Sequence, residues 1–171
     1  MKEIRQIQTL KNADMSYLFP IFRSLVGYDP FVKFYEPDPD FATLCKNIAT
    51  ELKIEMDPDY VEFMSITNGG KIDFVTFFSF KDDEQTRDLV YLNLDPEKRK
   101  FLVGNSNCFI AAENGNNYYC YDLLSKISGK KDDEGYAWGL YDMEQKKYVY
   151  SFPHFYDLLE FHVQVLKLST T

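Results

Sequence analysis

The chain is short of the residues from which most catalytic and metal sites are built. It has two histidines, His154 and His162, and three cysteines, Cys45, Cys108 and Cys120, among 171 residues. None of these has metal-ligand spacing, and no HExxH, GxSxG, P-loop or paired CxxC pattern occurs. The expectation is no metal and no cofactor. Positive charge is also scarce. The net charge is −8, whereas a nucleic-acid binder shows a basic surface, so no nucleic-acid partner is expected. No apolar run approaches the roughly 20 residues of a membrane helix, which predicts no membrane partner. The opening MKEIRQIQTL has no apolar signal segment. The chain is therefore expected to be soluble and cytoplasmic, with free thiols in a reducing compartment. A disulfide stays open only between Cys108 and Cys120, which can lie on neighbouring strands.

What the chain has in quantity is aromatic surface to bury. Phe and Tyr dominate an aromatic content of 17%, which argues against disorder. The length suits one domain with a real core. The organising stretch is residues 56–70, MDPDYVEFMSITNGG. Asp57 is a good N-cap, because its carboxylate accepts from free amides of the first turn. Pro58 suits the first helical position, where a missing N–H costs nothing. Tyr60, Phe63, Met64 and Thr67 fall at helical spacing and give one face to bury. Asn68, Gly69 and Gly70 then stop the helix, since glycine reaches the left-handed conformation without a Cβ penalty. These three are structural candidates. They do not follow a strand and open a helix, so a phosphate cradle is unsupported.

Residues 1–40 read as an N-terminal extension packed on a domain formed by residues 41–171. Asp14 or Ser16 can cap a short helix through Tyr17, Leu18, Ile21, Phe22 and Leu25, a pattern that Pro20 interrupts. Residues 28–35 read as extended. Phe41, Leu44, Cys45, Ile48 and Leu52 trace an amphipathic helix with Asp40 as N-cap. Residues 72–80, IDFVTFFSF, read as one strand. Residues 89–94 stay ambiguous between strand and helix. Residues 108–112 and 118–123 pair as a hairpin around Asn114-Gly115-Asn116-Asn117. Residues 136–143 and 147–152 form a second hairpin with Glu144, Gln145 and Lys146 at its tip. Phe155, Leu158, Leu159, His162 and Leu166 outline a last amphipathic helix. Helices, then antiparallel strands, then a helix describe an α+β domain.

Few residues point to chemistry. His162 lies on an apolar stripe, where a packed, hydrogen-bonded histidine is the plain reading. Glu113 and Asp122 flank the first hairpin and can approach each other, although carboxylates beside a turn are usually solvated or capping. Lys98, Arg99 and Lys100 read as a solvated face. Two acidic clusters, Asp82-Asp83-Glu84 and Asp132-Asp133-Glu134, fall in loops near aromatic residues such as Tyr136 and Trp138. They suit an electrostatic docking surface for a basic partner. Two ordinary solvated loops are the plainer reading, since surface charge alone is weak evidence of a partner. Trp138, in a strand, reads as core.

The pattern as a whole resembles the SUKH superfamily. MDPDYVEFMSITNGG is similar to its signature helix, with Tyr60, Phe63, Met64, Asn68, Gly69 and Gly70 matching in order and spacing. FIAAENGNNYYCYD, residues 109–122, is similar to its hairpin: an apolar strand, an acidic glycine-containing turn, and an aromatic strand ending in Asp. Ser151, Phe152 and residues 158–161 look like its closing Ser-Phe and helix. The resemblance covers residues 41–168. Pro58 stands one place later than the usual proline, Asn116 and Asn117 replace a common Gly and Asp, and residues 1–40 have no counterpart. The resemblance implies an α+β fold with a mainly antiparallel, curved sheet flanked by helices. It associates no catalytic residues with that fold. In bacteria the group is best known for immunity proteins that bind and neutralise toxin domains. It also includes fungal regulators of cell-wall glucan synthesis.

The expectation is a non-enzymatic binding protein that neutralises a cognate basic toxin domain by stoichiometric binding. Asp82, Asp83, Glu84, Asp132, Asp133, Glu134 and Tyr136 are the expected partner-binding residues. A regulatory interaction protein in cell-wall or signalling complexes is the alternative, and an enzyme of unrecognised type the second. Nothing in the sequence sets an oligomeric state.

Overall fold

The computed structural model describes residues 18–25, 28, 31–35, 38–53, 55–80, 88–97, 99–100, 108–122 and 136–169. Seven strands cross one open sheet in chain order, each antiparallel to its neighbour. They are β1 (Val32–Phe34), β2 (Gly70–Ile72), β3 (Val75–Phe77), β4 (Cys108–Asn114), β5 (Asn117–Asp122), β6 (Trp138–Asp142) and β7 (Lys147–Phe152). Helices α1 (Phe19–Leu25), α2 (Phe41–Leu52), α3 (Pro58–Thr67), α4 (Leu89–Leu94) and α5 (Phe155–Ser169) fall before, between and after them. The chain thus forms the α+β, antiparallel architecture that its sequence pattern implies.

Helix α3 is fixed at both ends by its own sequence. One oxygen of Asp57 accepts from the Asp59 amide at 2.8 Å, and the other accepts from Trp138 Nε1 at 2.7 Å. The N-cap therefore also clasps the helix to β6. At the far end Asn68 adopts φ 50°, and its amide donates to the Met64 carbonyl at 2.9 Å. Its side-chain oxygen accepts from the Phe80 amide at 3.2 Å. Gly69 follows at φ 84°, where a Cβ would stand 2.6 Å from the Phe77 carbonyl oxygen. Gly70 has φ 136°, and a Cβ there would run into the Lys33 carbonyl and approach Phe34 Cα to 2.7 Å. The three residues cap the helix, cross behind β3 and enter β2 against β1. Side chains at the two glycines would block the second and third steps.

Helices α3 and α5 cover one face of the sheet. Strand register puts Phe34, Ile72, Phe77, Phe109, Tyr119, Tyr121, Trp138 and Phe152 on that face, all buried. Tyr60 sits at the centre, with ring centroids 5.7 Å from Phe109, 5.5 Å from Trp138 and 5.3 Å from Phe155. Phe63 packs edge-on against Phe34 and Phe155. Offset and edge contacts of this kind add to what burial alone contributes.

Several local expectations change. Residues 72–80 are not one strand: the chain reverses at Asp73 and Phe74 to make the β2–β3 hairpin. Asp73 takes φ 53°, which aspartate tolerates, and Phe74 is left 78% exposed at the tip. Residues 89–94 are helical, because Asp88 caps them by accepting from the Tyr91 amide at 3.0 Å. Asp40 precedes α2 but makes no side-chain cap. Pro20 stands in the first turn of α1, where it is tolerated instead of interrupting the helix.

The β4–β5 pairing corrects a further expectation and settles another. Cys108 lies opposite Asp122, and Ile110 opposite Cys120, so the two cysteines are diagonal neighbours, and neither is in a disulfide. Burial, with the Asp122 charge in second place, pushes the Cys108 thiol up to about 12. Glu113 lies opposite Tyr118, five positions along β4 from Asp122's partner, roughly 17 Å at strand rise. The two carboxylates therefore do not meet.

The two ends of the sheet differ. Tight turns at Asp73-Phe74, Gly115-Asn116 and residues 143–146 close one end. The last turn is held by Asp142, which accepts from the amides of Glu144 and Gln145 at 2.9 and 2.8 Å. Long connections leave the other end, because β1, β3, β5 and β7 all run toward it.

Candidate interaction surface

Where β3 ends, β4 still needs partners for its backbone. The Phe78 amide makes one more bond, to the Ala111 carbonyl at 3.1 Å. Beyond it Asn93 stands in for a strand. Its Nδ2 donates to the Ile110 carbonyl at 2.8 Å, and its Oδ1 accepts from the Ile110 amide at 2.7 Å. Arg99 then donates to Asn93 Oδ1 at 3.1 Å and to the Cys108 carbonyl at 2.7 Å. Arg99 is accordingly a half-buried structural clasp, not part of a solvated basic run. Lys98 lies outside the described residues.

On the face opposite α3 and α5, one residue from each strand lines up. Register places Lys33 beside Lys71, then Thr76, Glu113, Tyr118, Tyr141 and Tyr148 in turn. The row spans roughly 29 Å at about 4.8 Å per strand. The two lysines are exposed and the other five residues are half-buried. Tyr141 and Tyr148 meet edge-to-face at 5.2 Å. Behind the row Tyr148 lies against the thiols of Cys120 and Cys108, and burial first, then those thiols, raises its phenol's pKa. The row carries cations at one edge, a carboxylate in the middle and aromatic hydroxyls at the other edge. Such a surface can make polar and aromatic contacts with a protein.

Two β-bulges build this row. Ala111 is the extra residue in β4 and Val149 the extra residue in β7. Strict alternation from Phe109 would turn Glu113 into the aromatic core. Strict alternation from Tyr150 would put Tyr148 on the α5 side, where Tyr150 packs against Phe161 at 5.3 Å. Each bulge turns one side chain to the opposite face. Alternation from Trp138 and Tyr121 is enough to find Tyr141 and Tyr118; no sequence signal reveals the bulges.

Of the residues expected to bind a partner, Asp82, Asp83, Glu84, Asp132, Asp133 and Glu134 lie outside the described residues. Tyr136 is described and half-buried, just before β6. The segment with the first acidic cluster joins Phe80 to Asp88. The segment with the second joins Asp122 to Tyr136.

The histidines offer no exposed base on this surface. His162 Nε2 and the Tyr119 hydroxyl share a buried hydrogen bond of 2.6 Å, and burial holds the imidazole's pKa down to about 4. His154 is exposed, and its amide donates to Asp157 Oδ2 at 3.1 Å at the start of α5. Among the described residues, no three His, Cys, Asp or Glu side chains form a metal-ligand group. No described helix is long and apolar enough to cross a membrane.

The sequence pattern of the SMI1 / KNR4 family (SUKH-1) matches residues 44–160, well over half of the chain. The match takes in α3 with its capping residues, the long hairpins and the start of α5. No curated protein matches the chain.

Proposed function

The chain belongs to the SMI1 / KNR4 family (SUKH-1), and from that premise we propose that it is a non-enzymatic protein-binding module. Within that class we propose a cytoplasmic immunity protein that neutralises a basic toxin domain by one-to-one binding. Family membership is the observation that carries this reading. Two features support it. The sheet face opposite α3 and α5 carries a row of half-buried tyrosines, and tyrosine is a favoured anchor at protein interfaces. The net charge of −8 suits a basic partner.

The mechanism is occlusion. Opposite charge raises the rate of encounter, and aromatic side chains that become buried slow release. Asp82, Asp83, Glu84, Asp132, Asp133 and Glu134 are proposed to supply the charge, and Tyr136 with the tyrosine row the aromatic contacts. The test is capture of partners by the tagged full chain at low salt, followed by growth of cells expressing the partner with and without this protein. Rescue of growth from a toxic partner is the expected result. A stable but harmless partner refutes immunity and favours a regulatory interaction protein. The association rate should also fall about tenfold or more from low to high salt. An unchanged rate removes the electrostatic step.

A further inference from the structure

Helices α2 and α4 pack side by side and leave a groove of about 440 Å³. Leu44 and Ile48 line it from α2, Val90 and Leu94 from α4, and Phe80 from beneath. Leu44, Ile48 and Glu51 share one helical face by their spacing. Phe80 is fully buried and held by a parallel stack on Phe41 at 5.5 Å. Phe80 therefore forms a packed floor. On the rim, Tyr91 is 43% exposed and Leu94 52% exposed. These are large apolar groups left in water on a six-residue helix. Among the described residues, the charged groups lining the groove are Glu51 and Asp88, and none is a lysine or arginine.

We propose that this groove docks a basic amphipathic helix of the partner protein. The inference rests on reading the chain as a protein-binding module and names the element that module receives. The apolar face of the incoming helix lies on Leu44, Ile48, Phe80 and Val90, between Tyr91 and Leu94. A lysine or arginine on its flank meets Glu51. The size suits a few side chains, since sites that bury ligand groups run from about 300 to 1,000 Å³. The mode is the familiar one of an amphipathic helix laid in an apolar groove.

Charge selects the occupant. Asp88 is engaged at the α4 N-terminus, where it accepts from the Tyr91 amide, so the exposed carboxylate of Glu51 is the group that faces an arriving cation. A second copy of this chain is the wrong occupant. It would bring another net charge of −8 and the same two carboxylates to the contact.

The test is titration of the isotope-labelled full chain with a Leu/Lys amphipathic helical peptide and its Leu/Glu counterpart. The Leu/Lys peptide should shift the amides of α2 and α4 and leave those of β5 to β7 in place. Leu94→Lys and Glu51→Lys should each weaken it about tenfold. Both positions are exposed, so the fold is kept. Glu144→Lys makes the same charge change as Glu51→Lys at the opposite, tight-turn end of the sheet. It should weaken binding less than about twofold. Equal binding of the Leu/Glu peptide overturns the proposal. So do shifts that fall outside α2 and α4, or groove variants no weaker than Glu144→Lys. A dimer in solution that Leu94→Lys dissociates would assign the groove to a second copy and also overturn it. The titration reads binding and not growth, so it can fail while neutralisation succeeds, and the reverse.

Discussion

Removing the Asp57 carboxylate should release two elements at once. Its two oxygens serve different donors, the Asp59 amide at 2.8 Å and the Trp138 indole at 2.7 Å. Asp57→Ala loses the cap, which costs about 1 kcal/mol. It also strands the N–H of Trp138, a fully buried residue, at about 1–3 kcal/mol. The expected total is about 2–4 kcal/mol. Asp57→Asn keeps one acceptor oxygen and turns an NH₂ group toward the other donor, so it should still cost about 1–3 kcal/mol. Trp138 is the sole tryptophan, so urea unfolding followed by its fluorescence reads the site directly, with circular dichroism as the second probe. Unchanged denaturant slopes would show that stability alone has moved. The decisive measurement is a double-mutant cycle with Trp138→Phe, followed in all four proteins by circular dichroism because that variant has no tryptophan. That variant separately loses packing against Phe155 at 4.9 Å and Tyr121 at 5.0 Å. The cycle should leave a coupling of at least about 1 kcal/mol. Additive effects, within about 0.5 kcal/mol, would refute the clasp.

His162 gives a pH test: its folded pKa is about 4 against 6.5, so the unfolded chain takes up the proton first. Its contribution is whole above pH 6.5 and is lost as pH falls toward 4, by roughly 3 kcal/mol. His162→Gln should flatten the urea midpoint over that window, and an unchanged pH slope would exclude the histidine as the cause. Gly70→Ala drives a Cβ into the Lys33 carbonyl and should cost more than about 4 kcal/mol or prevent folding. Gly115→Ala meets nothing within 4 Å and should cost only the positive-φ penalty of about 1–2 kcal/mol; similar melting temperatures would contradict both. Asn93→Ala should destabilise by about 2–4 kcal/mol and speed hydrogen exchange at the Ile110 amide at least about tenfold. Protection at that amide equal to its neighbours' would show that Asn93 is not its partner.

The parts of the fold legible in the sequence are those made by neighbours. The boundaries of α3 follow from Asp57, Pro58 and Asn68, because each end is closed within a few residues of itself. The β4–β5 hairpin is legible from Asn114-Gly115, and Gly115 does take a positive φ of 62°. What fails is what distance decides. Asp73 turns the chain alone between apolar residues, so IDFVTFFSF hides a hairpin inside a strand-like run. The Asn93–Ile110 clasp spans 17 positions and the Asp57–Trp138 clasp 81. No local pattern announces either. Glu113 and Asp122 look like neighbours beside a turn, yet register puts them at opposite ends of a hairpin. Of the candidate surface, Tyr118 and Tyr141 follow from alternation, whereas Glu113 and Tyr148 do not.

The bulges explain that last failure and tie the surface to the fold. A regular β4 would bury the Glu113 carboxylate among Phe77, Phe109 and Tyr60, where an unpaired charge is far too costly. Inserting Ala111 removes that conflict and keeps Phe109 and Ala112 both on the core side. In β7 the extra Val149 lets Tyr150 lie over Phe161 while Tyr148, two residues earlier, faces the other way. Each bulge thus gives successive parts of a strand different tasks. One part seals the aromatic core against α3 and α5, and the next turns a half-buried polar side chain to the opposite face. Tyr118 and Tyr141 lie on that opposite face, half-buried and away from the rings packed under α3 and α5.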